Sequence, residues 1–183
     1  MFDDLRTAYR RDPALHGGNA AEVVLCPGVW ALGAHRAASR LARLGVRFLP
    51  RTISQVSRTM TGIEIHPSAR IGRRCFIDHG AGVVIGETAE VGDDVRIFQG
   101  VTLGGRGFWT DTKGSKRHPT IEDGVTLGVG CSVLGPVTVG RTSRVAAHAL
   151  VLADVPPETT VHAPPSHMRG HQGRSRQPLD YQI

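Results

Sequence analysis

Aliphatic side chains recur every six residues through the middle of this chain. Ile65, Ile71, Ile77, Val83, Ala89, Val95 and Val101 make one such ladder; Ile121, Leu127, Val133, Val139, Val145 and Val151 make another. Neither an α-helix nor an ordinary strand has that period. A chain that turns a corner every six residues does. Three such sides close one coil of a prism, and each aliphatic points inward onto its counterpart in the next coil. Gly72, Gly86, Gly92, Gly128 and Gly140 directly follow Ile71, Ile85, Val91, Leu127 and Val139, where a corner calls for backbone freedom. The pattern predicts a left-handed parallel β-helix of hexapeptide repeats.

Upstream the apolar positions follow a helical period instead. Short helices are expected over 3–10, 19–26, 28–44 and 51–60. In the third, Trp30, Leu32, Ala37, Leu41 and Leu44 fall near one face, with Arg36, Arg40 and Arg43 on another. The period changes at Gly62, which divides a helical region, 1–61, from a β-helix domain, 62–169, an α+β arrangement. The repeat is expected to stop after about Val155, at Pro156-Pro157. Residues 170–183 are polar, rich in Gly, Arg and Gln, and are expected to form a flexible, disordered tail. Between the two ladders, Gly104 to Pro119 abandons the rule and predicts a protruding loop, 104–119, carrying Phe108 and Trp109. A loop thrown out of a regular solenoid is a natural place for function.

Charge narrows the partners. Lys and Arg outnumber Asp and Glu by 22 to 16, a net +6. Residues 1–61 hold nine basic against four acidic side chains, whereas 62–161 hold ten against eleven. The excess therefore sits on the helical head and the tail, not on the repeat, and reads as a solvated Arg face. With no Lys-rich run and few aromatics, nucleic-acid binding is not expected. The stretch from Val23 to Ala34 is broken by Pro27 and Gly28 and is too short to span a bilayer, so no membrane role is expected either. No signal peptide is apparent, and Cys26, Cys75 and Cys131 are odd in number and far apart. A reduced, cytoplasmic setting fits, with Cys75 and Cys131 as packing residues.

Acid–base chemistry is the best use of the histidines. His66, His79 and His118 lack the close spacing of a metal site, and no metal is expected. His79 follows Asp78 beside the inward Ile77, so its ring projects from the prism. Glu64 precedes it by 15 residues, a little under one coil, so carboxylate and imidazole could meet on adjacent coils. On the residues alone, His79 fits a turn cap as well as a general base.

Six segments together resemble one enzyme family. Asp12-Pro13-Ala14, Ile63-Glu64-Ile65-His66-Pro67, Ile77-Asp78-His79-Gly80, Val84-Ile85-Gly86-Glu87-Thr88-Ala89, Val101-Thr102-Leu103-Gly104-Gly105 and Lys116-Arg117-His118-Pro119 resemble, in order and spacing, the serine O-acetyltransferases. The likeness extends over roughly residues 1–160, with the short helical head of a compact bacterial form. It implies transfer of acetyl from acetyl-CoA to the hydroxyl of L-serine, without a metal, on the way to cysteine. It implies that His79 is the general base and that Glu64 orients it. Asp12 and Asp78 would hold the substrate ammonium, Arg117 its carboxylate, and His118 would position the substrate. Gly104 and Gly105 would let the pantetheine arm pass close to backbone, the Val129 backbone would bind CoA, and Arg144 would meet a phosphate. Sites between prisms imply a homotrimer or a pair of trimers. The ending Asp180-Tyr181-Gln182-Ile183 resembles tails whose terminal isoleucine enters O-acetylserine sulfhydrylase, which makes that enzyme an expected partner through Ile183.

The chain also departs from the family. The 104–119 loop is longer, His162-Ala163-Pro164-Pro165 replaces a more usual Ala-Gly-Val-Pro, and Val145-Ala146-Ala147-His148 replaces Ile-Gly-Ala-Asn. These changes cluster on the CoA side and leave open another hydroxyl acceptor, such as homoserine. They also leave open a weakly active scaffold that regulates the sulfhydrylase.

Overall fold

The computed structural model describes residues 2–12, 20–107 and 114–164. Its helical head comprises α1 (Phe2–Arg11), a 3-10 turn (Ala20–Leu25), α2 (Pro27–Arg43) and α3 (Phe48–Thr61). Gly62 closes α3 in the left-handed conformation, φ 71°, and its N–H returns to the Arg58 carbonyl at 2.8 Å. The expected change of period at Gly62 is therefore the end of a helix.

From Glu64 onward the described residues wind through fourteen short parallel strands, β1 to β14, on three faces. Face one stacks β1 (Glu64–Ile65), β4 (Val84–Ile85), β7 (Thr102–Gly104), β10 (Ser132–Leu134) and β13 (Leu150–Val151). Face two stacks β2 (Arg70–Ile71), β5 (Glu90–Val91), β8 (Thr120–Ile121) and β11 (Thr138–Val139). Face three stacks β3 (Phe76–Ile77), β6 (Arg96–Ile97), β9 (Thr126–Leu127), β12 (Arg144–Val145) and β14 (Thr160–Val161). Three edges separate them: an opening edge between faces one and two, a far edge between two and three, and a closing edge where face three passes to the next coil. The prism interior is mostly aliphatic, with Ile85, Ile97, Val101, Leu103, Leu127 and Val133 fully buried.

Four expectations are corrected. The first ladder is two ladders spliced. Ile65, Ile71 and Ile77 lie on strands, while Val83, Ala89, Val95 and Val101 are buried at corners. The strand ladder resumes at Ile85, because Ile65 pairs with Ile85 twenty residues on, whereas Val133 pairs with Val151 eighteen on. Two extra residues thus enter at the closing edge, beside His79.

The five glycines that follow aliphatics are absent from the positive-φ residues. They are needed for closeness: a Cβ on Gly72 would lie 2.5 Å from the Gly92 carbonyl carbon, and one on Gly128 2.8 Å from the Ala147 nitrogen. Left-handed corners fall instead on Gly82, Gly100, Gly124 and Gly130. Third, α2 buries Gly28, Ala31, Leu32, His35, Ala38 and Ser39, and of the residues assigned to the Trp30 face only Leu32 is among them. Trp30 is exposed, and its indole N–H donates to the Val24 carbonyl at 2.5 Å. Fourth, Pro156-Pro157 does not stop the repeat. They turn the far edge, and β14 pairs with β12 beyond them.

The head is bolted to the prism at named points. Arg36 on α2 grips Asp4 of α1 at 2.7 and 2.9 Å and donates to the Gly72 carbonyl at 2.9 Å. Gly28 lies so close to the Ile77 carbonyl that a Cβ would overlap it. Ser54 on α3 donates to the Ile65 carbonyl at 2.7 Å. These contacts set α1, and Asp12 at its end, against the first coil.

Candidate active site

The structure sorts the nominated residues into two groups on two edges of the prism. The closing edge carries Asp78 and His79. Asp78 donates its N–H to the Ile97 carbonyl at 2.8 Å, which fixes the strand end. His79 then takes φ 57°, and Gly80 follows at φ 79° with its N–H on the Asp78 carbonyl at 2.6 Å. A side chain held left-handed costs about 1–2 kcal/mol; here it turns the imidazole outward, 75% exposed. Its Nε2 lies 3.9 Å from Asp78 Oδ1.

Asp12 belongs to the same group. Its N–H caps α1 on the Ala8 carbonyl at 3.0 Å. The half-buried Cys26 thiol is pushed up by burial first and then by the charges of Asp12 and Asp78, so both carboxylates stand near it. Glu64 opens face one and pairs with Arg58 at 3.3 Å; within one chain its ion-pair partner is that guanidinium and not the His79 ring. Higher on the closing edge, Gly100 N–H bonds to Ala81 O, Gly130 N–H to Gln99 O and His148 N–H to Val129 O, at 2.9, 2.9 and 2.8 Å. Val129 is therefore two coils above His79 on one edge. Arg144 opens β12 on face three, exposed, a strand's length before that edge.

The opening edge holds the other group. Gly104 ends β7, and Gly105 begins the protruding loop, whose residues 108–113, with Phe108 and Trp109, lie outside the described residues. Ile183 and the tail lie outside them too. At the loop's return, Arg117 donates to Glu87 Oε2 at 2.5 Å. Lys116 donates to the Thr88 carbonyl at 2.8 Å and faces Glu90 at 3.4 Å. His118 is buried over Gly86, where a Cβ would fall within the imidazole. Its Nδ1 accepts from Thr88 N–H at 3.2 Å and lies 2.9 Å from Thr88 Oγ1. His66 stands close by, its basicity lowered by burial and then by Arg51.

Thr88, Glu87 and His66 had no role in the sequence reading, although all three lie inside the quoted motifs. Their signal was position, one coil below Arg117 and His118, and it becomes readable once the 30-residue return from Glu90 to Thr120 is known. Among the described residues no cluster of three or more His, Cys, Asp or Glu is placed to hold a metal ion. Nor is any described helix long and apolar enough to cross a membrane.

This geometry suits acyl transfer, with an exposed imidazole beside the Asp78 carboxylate on one edge and a guanidinium beside a buried imidazole on another. Comparison with known proteins is consistent with it. No family model matches. The serine acetyltransferase of Mycobacterium tuberculosis is 48% identical over 185 residues, covering all of this chain and 78% of that protein. That of Bacillus subtilis is 50% identical over 184 residues, covering all of this chain and 82% of it. Among solved structures, Neisseria gonorrhoeae serine acetyltransferase in complex with serine superposes with a TM-score of 0.81 at 36% identity, covering 91% of this chain and 66% of that one. Brucella abortus serine acetyltransferase in complex with coenzyme A gives 0.82 at 38%, covering 94% and 67%. This chain spans about two thirds of those solved chains. Fold and site together define an acyltransferase built on a left-handed parallel β-helix. Within that class, the chain belongs to the serine acetyltransferase family.

Proposed function

We propose that this chain transfers the acetyl group of acetyl-CoA to the hydroxyl of L-serine, giving O-acetylserine and free CoA. The observation that carries the reading is the pairing of two edges: Asp12, Asp78 and His79 on one, Arg117 and His118 on the other. A free amino acid needs carboxylates for its ammonium, a guanidinium for its carboxylate and a base at its hydroxyl. His79 takes the hydroxyl proton as the oxygen attacks the thioester carbonyl. The tetrahedral adduct collapses, the C–S bond breaks, and the imidazolium returns the proton to the departing sulfur. Gly104, Gly105 and the Val129 backbone serve the CoA arm, and Arg144 a phosphate.

Because the two groups sit on different edges, a second copy must bring its opening edge to the first copy's closing edge. A homotrimer, alone or as a pair, does this for every chain. In that assembly Glu64 can leave Arg58 to orient His79. The terminal Ile183 is the segment we assign to docking with O-acetylserine sulfhydrylase; deleting it should abolish co-elution and leave acetylation intact.

The deciding assay is CoA release from acetyl-CoA with L-serine, homoserine, threonine or no acceptor. Serine-dependent release that His79→Ala abolishes supports the reading. Release only with another hydroxyl moves the acceptor, and no release from folded protein of trimer mass overturns it.

A further inference from the structure

The bonds around His118 decide which of its ring nitrogens carries the proton. A backbone N–H can only donate, so Nδ1, which receives the Thr88 N–H at 3.2 Å, must offer its lone pair. The Thr88 hydroxyl agrees. Its oxygen accepts from the Arg117 and His118 N–H groups, each at 3.0 Å, which occupies both lone pairs. Its own hydrogen is left to donate, and the atom within reach is His118 Nδ1 at 2.9 Å. With two donors on Nδ1, the neutral ring carries its hydrogen on Nε2.

We propose that Thr88 is a positioning residue that locks His118 in the Nε2–H form, so that His118 serves the reaction as a hydrogen-bond donor and not as a base. Resting on the acetyl-transfer reading, this divides the labour of the two histidines. His79, exposed and flanked by a carboxylate, moves the proton. His118 offers Nε2–H to the thioester oxygen as charge builds there, and no proton leaves it. Gly86 completes the mount, since any side chain there would push the Cδ2–Nε2 edge of the ring away. The sequence places Thr88 thirty residues from His118, and only the return of the loop onto the coil below makes them partners.

Thr88→Val keeps the shape and removes the hydroxyl, while Thr88→Ser restores it. In protein labelled with 15N-histidine, with His118 assigned by its loss in His118→Asn, the neutral ring in wild type should show the pure Nε2–H pattern. Thr88→Val removes the shorter contact, at 2.9 Å, leaves Nδ1 only the backbone N–H at 3.2 Å, and should mix the two tautomers. It should also lower kcat by about 10- to 100-fold with KM for serine little changed, and Thr88→Ser should recover most of the rate. An Nδ1–H pattern in wild type overturns the proposal. So does Thr88→Val with an unchanged tautomer, whatever its rate, because its effect would then be structural. Should wild type release no CoA with serine, the acetyl-transfer reading fails separately, and the 15N pattern still reports the lock.

Discussion

A single methyl group at position 86 is enough to test how the buried imidazole is held. Gly86→Ala would put a Cβ where the His118 ring now lies. It should cut turnover by about 100-fold or more, as removal of a transition-state donor does, with circular dichroism unchanged because position 86 is a corner outside the strands. The thiols give a second check at this scale. Burial pushes Cys75 and Cys131 up to about 12, so a thiol reagent should find at most Cys26 in the native protein and all three after unfolding. Sequence showed these residues unevenly. Cys75 and Cys131 were legible as packing residues because they fall at six-step corner positions. The glycines were legible as special, but for the wrong reason: a pattern of small residues cannot tell a left-handed turn from a close approach between coils.

Among the elements, the α1–α2 junction depends on one buried ion pair. Asp4 is nearly inaccessible, and Arg36 binds both its oxygens while reaching the carbonyl of Gly72. Removing either partner strands the other charge, at a cost of about 3–5 kcal/mol. Arg36→Ala should therefore lower the urea midpoint by a corresponding amount. It should also raise KM for serine, because α1 presents Asp12, which the proposed reading sets at the substrate ammonium. Sequence placed the helices within one to three residues but misread the working face of α2. Trp30, Leu41 and Leu44 make an apolar stripe as regular as the buried one. What chose the other stripe was tertiary: Gly28 lets α2 meet the Ile77 carbonyl, and only the face with Ala31, Leu32, His35 and Ala38 then points inward.

The molecule as a whole should lose stability in mild acid. His35 lies at the join between head and prism, and burial, with Arg36, Arg43 and His66 nearby, lowers its pKa to about 4. The unfolded chain binds a proton on this group below about 6.5 and the folded one does not, so stability falls as pH drops through that window, by on the order of 3 kcal/mol in all. His35→Phe should flatten the dependence between those limits, read as urea midpoints across the range. At this scale the architecture was legible in advance, since a six-residue period has few physical meanings. The numbering of the coils was not. Counting by six ran past the extra residues near His79 without registering them, because Val83 is also aliphatic and also buried. The division of the site between two edges was equally hidden, since spacing along the chain does not say which edge a residue will occupy.

Coil lengths carry one more consequence. Ile65 to Ile85 is twenty residues, Thr102 to Ser132 thirty, and Ser132 to Leu150 eighteen. The two coils longer than eighteen are the ones that bear His79 and His118. Closing a loop of thirty residues instead of eighteen adds only about 0.5 kcal/mol of chain entropy. The scaffold therefore spends almost nothing in chain entropy on the segments that hold His79 and His118, and those segments can lengthen or shorten at little cost. A protein built this way can alter what it acts on by editing two corners, while the aliphatic side chains of the strands hold the coils together.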